Sequence, residues 1–224
     1  KLFHKLGQNI YFVPRIYADE LIQDDPSYLK DLSKTLSPLI KVFYCGKNII
    51  AKTLTNYNKI NKILTNKIIF WDNYYANDYC PRRLFIGPFL GRKNIKNIMI
   101  NPTGLIKTDL LILDLFANNI NGKFSIKEWE SILKIHDVPN IFFSIKEFFF
   151  KPSFDLNSEL QSFNIKTKHF EALDFLLWKW KGQLSREWYP VLFGLKQDLQ
   201  INKNLITSER IVKTQTIPLS KFLN

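Results

Sequence analysis

Between Trp71 and Arg92 the chain reads WDNYYANDYCPRRLFIGPFLGR. The stretch gathers two carboxylates (Asp72, Asp78), two side-chain amides (Asn73, Asn77) and several aromatic rings. Such an acidic, amide-rich and aromatic cluster, followed by glycines and prolines, could line a ligand site. The preceding run, Lys67-Ile68-Ile69-Phe70, reads as a short buried strand, so Trp71-Asp72-Asn73 falls at its C-terminal end. Polar residues at strand C-termini line ligand sites in strand-and-helix folds. Asn and Asp also build ordinary turns, and spacing alone leaves both readings open.

Other constellations carry less. Asp24-Asp25 could perform acid–base chemistry, but Pro26-Ser27 and an amphipathic run follow, where the acids are expected to cap a helix. Arg82-Arg83 could clasp a phosphate; after Cys80-Pro81 they read as a solvated loop or a structural ion pair. Trp178, Trp180 and Trp188 fall on a helical pattern, where aromatics are mostly core. His4, His136 and His169 and the two cysteines, Cys45 and Cys80, are scattered without metal-ligand spacing, so no metal site is expected. His136 and His169 read as surface or capped histidines. The cysteines read as free thiols in a reducing compartment, which points to the cytoplasm.

The elements that must position these groups alternate through the first half. Strands are expected at Asn9–Val13, stopped by Pro14, at Lys41–Tyr44, at Lys67–Trp71 and at Asn97–Ile100. Helices are expected at about 27–36, 56–64 and 108–118. Residues 1–8 read as the end of a helix. Four strands separated by helices imply parallel βα units. The segment 74–96 lacks helical periodicity, and such long loops are often functional. After Asn121-Gly122 the pattern becomes helical, with segments at 126–133, 141–150, 170–181 and 185–199, the last broken or kinked at Pro190. The expected organisation is an α/β domain over residues 1–120 and a helical region over 121–224.

The 224 residues are 46% hydrophobic and 23% charged, with a net charge of +12. A folded core is expected and disorder is not. The basic excess is spread, with 17 Lys and Arg against 9 Asp and Glu in residues 1–120, and 15 against 11 in residues 121–224. A nucleic-acid site concentrates its charge, so none is expected. No apolar stretch reaches the ~18 residues of a membrane span. The chain opens on Lys1 in mid-pattern, and a preceding segment is expected.

Residues 71–92 match every fixed position of the pattern W-D-N-x-x-x-N-D-x-x-x-x-R-L-F-x-G-P-[FY]-x-G-R. The stretch resembles the signature of glycoside hydrolase family 84, the β-N-acetylglucosaminidases. Ile98-Met99-Ile100-Asn101-Pro102 resembles that family's strand ending in Asn-Pro. Val13-Pro14-Arg15-Ile16-Tyr17 resembles the strand end that supplies a pocket tyrosine. The resemblance covers about residues 9–120. It implies that the chain holds the last four strands of an eight-stranded (β/α)8 barrel, followed by a helical region.

The same resemblance assigns roles. Tyr17 and Trp71 would line the pocket for a 2-acetamido group. Asp78 would accept hydrogen bonds from sugar hydroxyls, Asn101 would bond a neighbouring hydroxyl, and Asn73 would sit near the reacting end. Asp72 would point into the barrel or anchor the loop, and Gly87, Pro88 and Gly91 would shape it. The family's catalytic Asp pair precedes the Tyr17 strand in chain order, so it would lie upstream of Lys1, and the fragment alone would be inactive. The implied partner is a glycan or glycoprotein bearing N-acetylglucosamine, with no cofactor; the oligomeric state stays open. Two alternatives stand beside this: a non-catalytic sugar-binding protein, and a basic module that contacts nucleic acid.

Overall fold

Four short apolar runs pair side by side in a computed structural model, which describes residues 10–50, 60–78, 83–87, 92, 95, 97–120, 125–150 and 164–207. By contacts the chain divides into two compact units, residues 1–74 with 89–101, and residues 75–88 with 102–224.

The first unit is a parallel sheet. Its strands are β1 (Tyr11–Phe12), β2 (Lys41–Tyr44), β3 (Ile68–Asp72) and β4 (Ile98–Ile100), side by side in chain order. All three pairings are parallel, with Val42 opposite Ile68, Tyr44 opposite Phe70 and Phe70 opposite Ile98. The expected strands are therefore present, each within a residue or two of its expected bounds. Pro14, which cannot donate to a ladder, follows shortly after β1 and limits it.

Side chains alternate across this sheet, so the register assigns its two faces. Val42, Tyr44, Ile68 and Phe70 share one face. Val42, Tyr44 and Ile68 form a buried core with Ile16, Leu29, Ile60 and Leu64. Leu29 is the buried residue of α1 (Tyr28–Thr35). The opposite face carries Tyr11, Phe43, Trp71 and Met99. Tyr11 and Met99 there are 48% and 43% exposed.

One local expectation is corrected in this unit. Asp24 and Asp25 do not cap α1. Asp24 ends a 3₁₀ turn (Asp19–Asp24), and Asp25 takes Arg15 Nη2 at 2.8 Å and the Ser27 hydroxyl at 3.2 Å. The guanidinium outcompetes the helix amides because it offers a charged partner. Of the helix expected at 56–64, residues 56–59 lie outside the described residues, as do residues 1–8.

The described regular elements of the second unit are helical: α2 (Ile106–Ile120), α3 (Ile126–Ile135), α4 (Thr167–Trp178) and α5 (Gln183–Asn202). Ser125 caps α3 by accepting from Glu128 N–H at 3.1 Å. The Glu187 carboxylate accepts from the amides of Lys107 and Thr108 at 3.0 and 2.8 Å, so an acid from α5 caps α2. Helix α5 runs through Pro190, so of the kink or break expected there the break is absent. Pro190 and Arg186 are both exposed, so the missing amide strands a carbonyl on the solvent side, where water can satisfy it.

The helix expected over 141–150 is instead two 3₁₀ turns, Asn140–Ser144 and Lys146–Phe149. Three residues per turn align Phe142, Ile145 and Phe148, and all three are buried. Phe142 packs against Trp129 and Trp188, at ring separations of 6.5 and 5.4 Å. Trp188 and Trp180 are core residues, as expected, whereas Trp178 is 56% exposed. The two histidines among the described residues have acidic partners that spacing did not reveal: His136 lies 2.7 Å from Asp114, and His169 lies 3.8 Å from Glu147.

Segment 83–87 of the motif packs inside this unit. Ile86 N–H donates to Phe149 O at 3.1 Å, Ile86 O accepts from the Trp129 indole at 2.6 Å, and Gly87 O accepts from Tyr75 at 3.0 Å. A Cβ at Gly87 would lie 2.0 Å from the carbonyl oxygen of Phe150. Backbone cannot yield as a side-chain tip does. Gly87→Ala is therefore expected to destabilise the chain by about 2 kcal/mol or more in urea unfolding, whereas a change below about 0.5 kcal/mol would mean that the approach is not close in solution.

Candidate functional site

The C-terminal ends of β2, β3 and β4 and the segment after β1 meet at one edge of the first unit. Register places Asp72 on the helix-packed face with Phe70, and therefore Trp71 on the open face. Asp72 is 1% exposed, as is its partner Arg92. Arg92 Nε donates to Asp72 Oδ2 at 2.9 Å and Nη2 to Oδ1 at 3.2 Å, a forked pair. Asp72 Oδ1 also accepts the Tyr74 amide at 3.0 Å, and the Arg92 guanidinium lies 5.0 Å from the Tyr74 ring centre. Of the two roles expected for Asp72, the structure shows the anchor.

The residues on either side of this anchor, Trp71 and Asn73, meet side chains from the neighbouring strand ends. Trp71 and Tyr17, both half-buried, stand with ring centres 5.6 Å apart at a tilt of 46°. Phe43 closes on Trp71 edge-on at 6.3 Å. Asn73, at the end of β3, accepts from Asn101 Nδ2 at 3.1 Å, just past β4. Asn101 N–H donates to the Asp72 carbonyl at 2.9 Å, which continues the β3–β4 ladder into the site. Asn73 Nδ2 donates to Cys45 Sγ at 3.2 Å and to Ile49 O at 3.0 Å.

Four of the five sequence-derived site residues, Tyr17, Trp71, Asn73 and Asn101, thus stand in the first unit at strand ends. Asp78 is exposed and belongs to the second unit. Two partners escaped the sequence reading. Arg92 is the last position of the motif and sits twenty residues from the acid it neutralises. Cys45 follows β2 directly; its position at a strand end was the available signal. Its amide donates to Tyr17 O at 2.7 Å, so Cys45 touches both Tyr17 and Asn73. Burial pushes its thiol up to about 12, with the Asp72 charge adding to the effect. Tyr74 is likewise pushed up to about 12 by burial, with Arg92 opposing the shift. Burial and a 2.6 Å hydrogen bond to Asp19 raise Tyr44.

This geometry can hold a neutral polar ligand against two rings, with an amide presented beside them. Among the described residues, no three His, Cys, Asp or Glu side chains cluster as metal ligands. No described helix is long and apolar enough to cross a membrane. Arg83 forms a buried ion pair with Asp198 at 3.1 Å, the structural alternative of the two expected; Arg82 and Cys80 lie outside the described residues.

The model of the β-N-acetylglucosaminidase family matches residues 3–134, more than half of the chain. The chain belongs to this family. The resemblance to glycoside hydrolase family 84 therefore holds. Among curated relatives, mouse protein O-GlcNAcase is 27% identical over 138 residues, covering 54% of this chain and 15% of the relative. The rat protein O-GlcNAcase is 29% identical over the same length and shares. The chain thus spans a small part of the length of these β-N-acetylglucosaminidase relatives. Among solved structures, a mutant O-GlcNAc hydrolase from Thermobaculum terrenum shares the fold, with a TM-score of 0.63 at 21% identity, over 95% of this chain and 56% of that one.

Two outcomes follow from the buried chemistry. Asp72→Asn leaves the Arg92 charge buried without its counter-ion and is expected to cost about 3–5 kcal/mol in urea unfolding; a cost under about 1 kcal/mol would show that the pair does not hold this edge. The Cys45 thiol stays protonated well above neutral pH while the chain is folded, and only thiolate is nucleophilic. In a Cys80→Ser chain, Cys45 should therefore resist a disulfide reagent at pH 8 until urea is added. Stoichiometric reaction in the native state would contradict its burial.

Proposed function

We propose that this chain is the C-terminal part of a glycoside hydrolase that removes terminal β-linked N-acetylglucosamine by substrate-assisted, retaining hydrolysis. The observation that carries the reading is the juxtaposition at the strand ends: the Tyr17–Trp71 ring pair, and the Asn73–Asn101 amide pair one residue beyond Asp72. An acetamido group needs apolar walls for its methyl and directed partners for its amide, and these residues have that character. In this reading Tyr17 and Trp71 enclose the acetamide. Asn101 and Asp78 take sugar hydroxyls, and Asn73 supports the reacting end.

The four parallel strands are the last four of a (β/α)8 barrel, and the helical segments follow it. The exposed rim residues Tyr11 and Met99, on the face away from the helices, support this. In a closed barrel that face is interior and filled by layers of side chains. An upstream half would cover it.

The reaction is the one the family resemblance implies. The acetamido oxygen attacks the anomeric carbon, the glycosidic bond breaks, and an oxazoline forms; water then opens it with retention. Two carboxyl groups are needed, one to polarise the acetamide N–H and one to protonate the leaving oxygen and then activate water. By the family resemblance the acid pair precedes the Tyr17 strand in chain order. Asp24 and Asp25 follow that strand, and Asp25 is paired with Arg15, so we assign the pair to a segment upstream of it. The target would be a glycan or a glycoprotein, as the names of the mouse and rat relatives suggest.

The test compares the complete gene product with this 224-residue chain on an aryl β-N-acetylglucosaminide. The complete protein is expected to release the aryl group, and the chain alone is not. Turnover by the chain alone would overturn the assignment of the acid pair. Inactivity of a folded complete protein that still binds the glycoside would make this a binding protein instead.

A further inference from the structure

We propose that the helical unit carries a second small-molecule site, at the turn between α4 and α5, which takes an N-acylated apolar amino acid by its carboxylate. The pocket there has a volume of about 460 Å³, within the range of sites for small organic ligands. It lies wholly in the second unit and shares no residue with the strand-end site.

The turn builds the pocket. Helix α4 ends at Trp178 and α5 begins at Gln183. Gly182 between them has a φ of 125°, which side chains rarely tolerate and glycine does. The Ser185 hydroxyl donates to Gly182 O at 2.8 Å, and the Trp180 amide donates to Phe175 O at 3.1 Å. The Trp180 ring then stands edge-on to Trp188 at 5.5 Å. Leu176, Leu177 and Trp180 are buried and line the pocket from within. Tyr189 is exposed at the rim, held between Phe193, on which it stacks at 6.2 Å, and Trp178, edge-on at 6.0 Å.

The charge at the rim is of one sign. Lys181 and Arg186 line the pocket, both are exposed, and no acid lines it. Three of the four acids on these two helices are engaged elsewhere: Asp174 with Lys196, Glu187 with the amides of α2, and Asp198 with Arg83. The fourth, Glu171, is not a lining residue. An apolar pocket with two cations at its mouth suits an amphipathic anion, and a guanidinium matches a carboxylate with two hydrogen bonds.

Pro190 adds a third demand. It has no N–H for the Arg186 carbonyl one turn back, and both residues line the pocket. Arg186 thus offers a cation from its side chain and a spare acceptor from its backbone. A ligand that answers both carries a carboxylate and an N–H close together, with an apolar group beside them. An N-acyl amino acid holds all three on one carbon. A free amino acid would bring an ammonium group to two cations, so the acyl form is the one that fits.

Calorimetric titration of the 224-residue chain with N-acetyl-L-phenylalanine tests this. The acid is expected to bind about tenfold more tightly than N-acetyl-L-phenylalaninamide, which keeps the ring and the N–H but lacks the charge. Arg186→Gln, at an exposed position, should abolish that preference and leave the affinity of the amide unchanged. Methylating the nitrogen of the acid should also weaken it about tenfold, and methyl β-N-acetylglucosaminide should not compete. Failure of the acid to bind at millimolar concentration would overturn the inference. So would equal binding of acid and amide, or a preference that survives Arg186→Gln. Full binding of the N-methyl compound would remove the N-acyl assignment, and competition by the glycoside would place the acid at the strand ends instead; either result also overturns the proposal.

Discussion

The site depends on one buried ion pair. Asp72 and Arg92 are both almost wholly removed from water, and an unpaired charge there would cost several kcal/mol. The pair can exist only if the chain returns from residue 92 to the end of β3, which closes the segment between them into a loop. It also sets the alternation at the strand end. With Asp72 committed to the helix-packed face, Trp71 must take the open face. The fork of two hydrogen bonds, with the Tyr74 amide as a third, leaves the acid little freedom to move.

From that anchor the rest of the edge is built by short-range bonds between neighbouring strand ends. The Asp72 carbonyl takes the Asn101 amide, the Cys45 amide takes the Tyr17 carbonyl, and the Cys45 thiol takes Asn73. Parallel strands make this possible because their C-terminal ends emerge on the same side. The sequence order of the elements then becomes spatial order, and residues 17, 45, 73 and 101 arrive next to one another. Burial, with the charge at the anchor adding to it, also raises the Cys45 thiol.

Much of this was legible because it rests on local pattern. The runs KVFY, KIIF and IMI have lengths and composition that suit short strands, and the alternation with helices implied their parallel pairing. Trp71, Asn73 and Asn101 could be placed at strand ends from the turn-forming residues that follow each run. What escaped were pairings set by the fold. Asp25 binds Arg15 rather than the helix it precedes. Glu187 caps a helix some 80 residues earlier in the chain. The phenylalanine-rich segment after Pro139 takes 3₁₀ turns because three-residue periodicity, not 3.6, buries Phe142, Ile145 and Phe148. Pro190 looked like a kink or a break, and its exposed position lets the helix continue. None of these follows from spacing along the chain.

The central claim is that Tyr17 and Trp71 form the wall of an acetamido pocket. Its most direct test is a crystal structure of the complete protein with N-acetylglucosamine bound. The account predicts the acetamido methyl within about 4 Å of both rings, in apolar contact, with Asn101 hydrogen-bonded to a ring hydroxyl. A sugar bound elsewhere, or a ring pair buried beneath other parts of the protein, would contradict it.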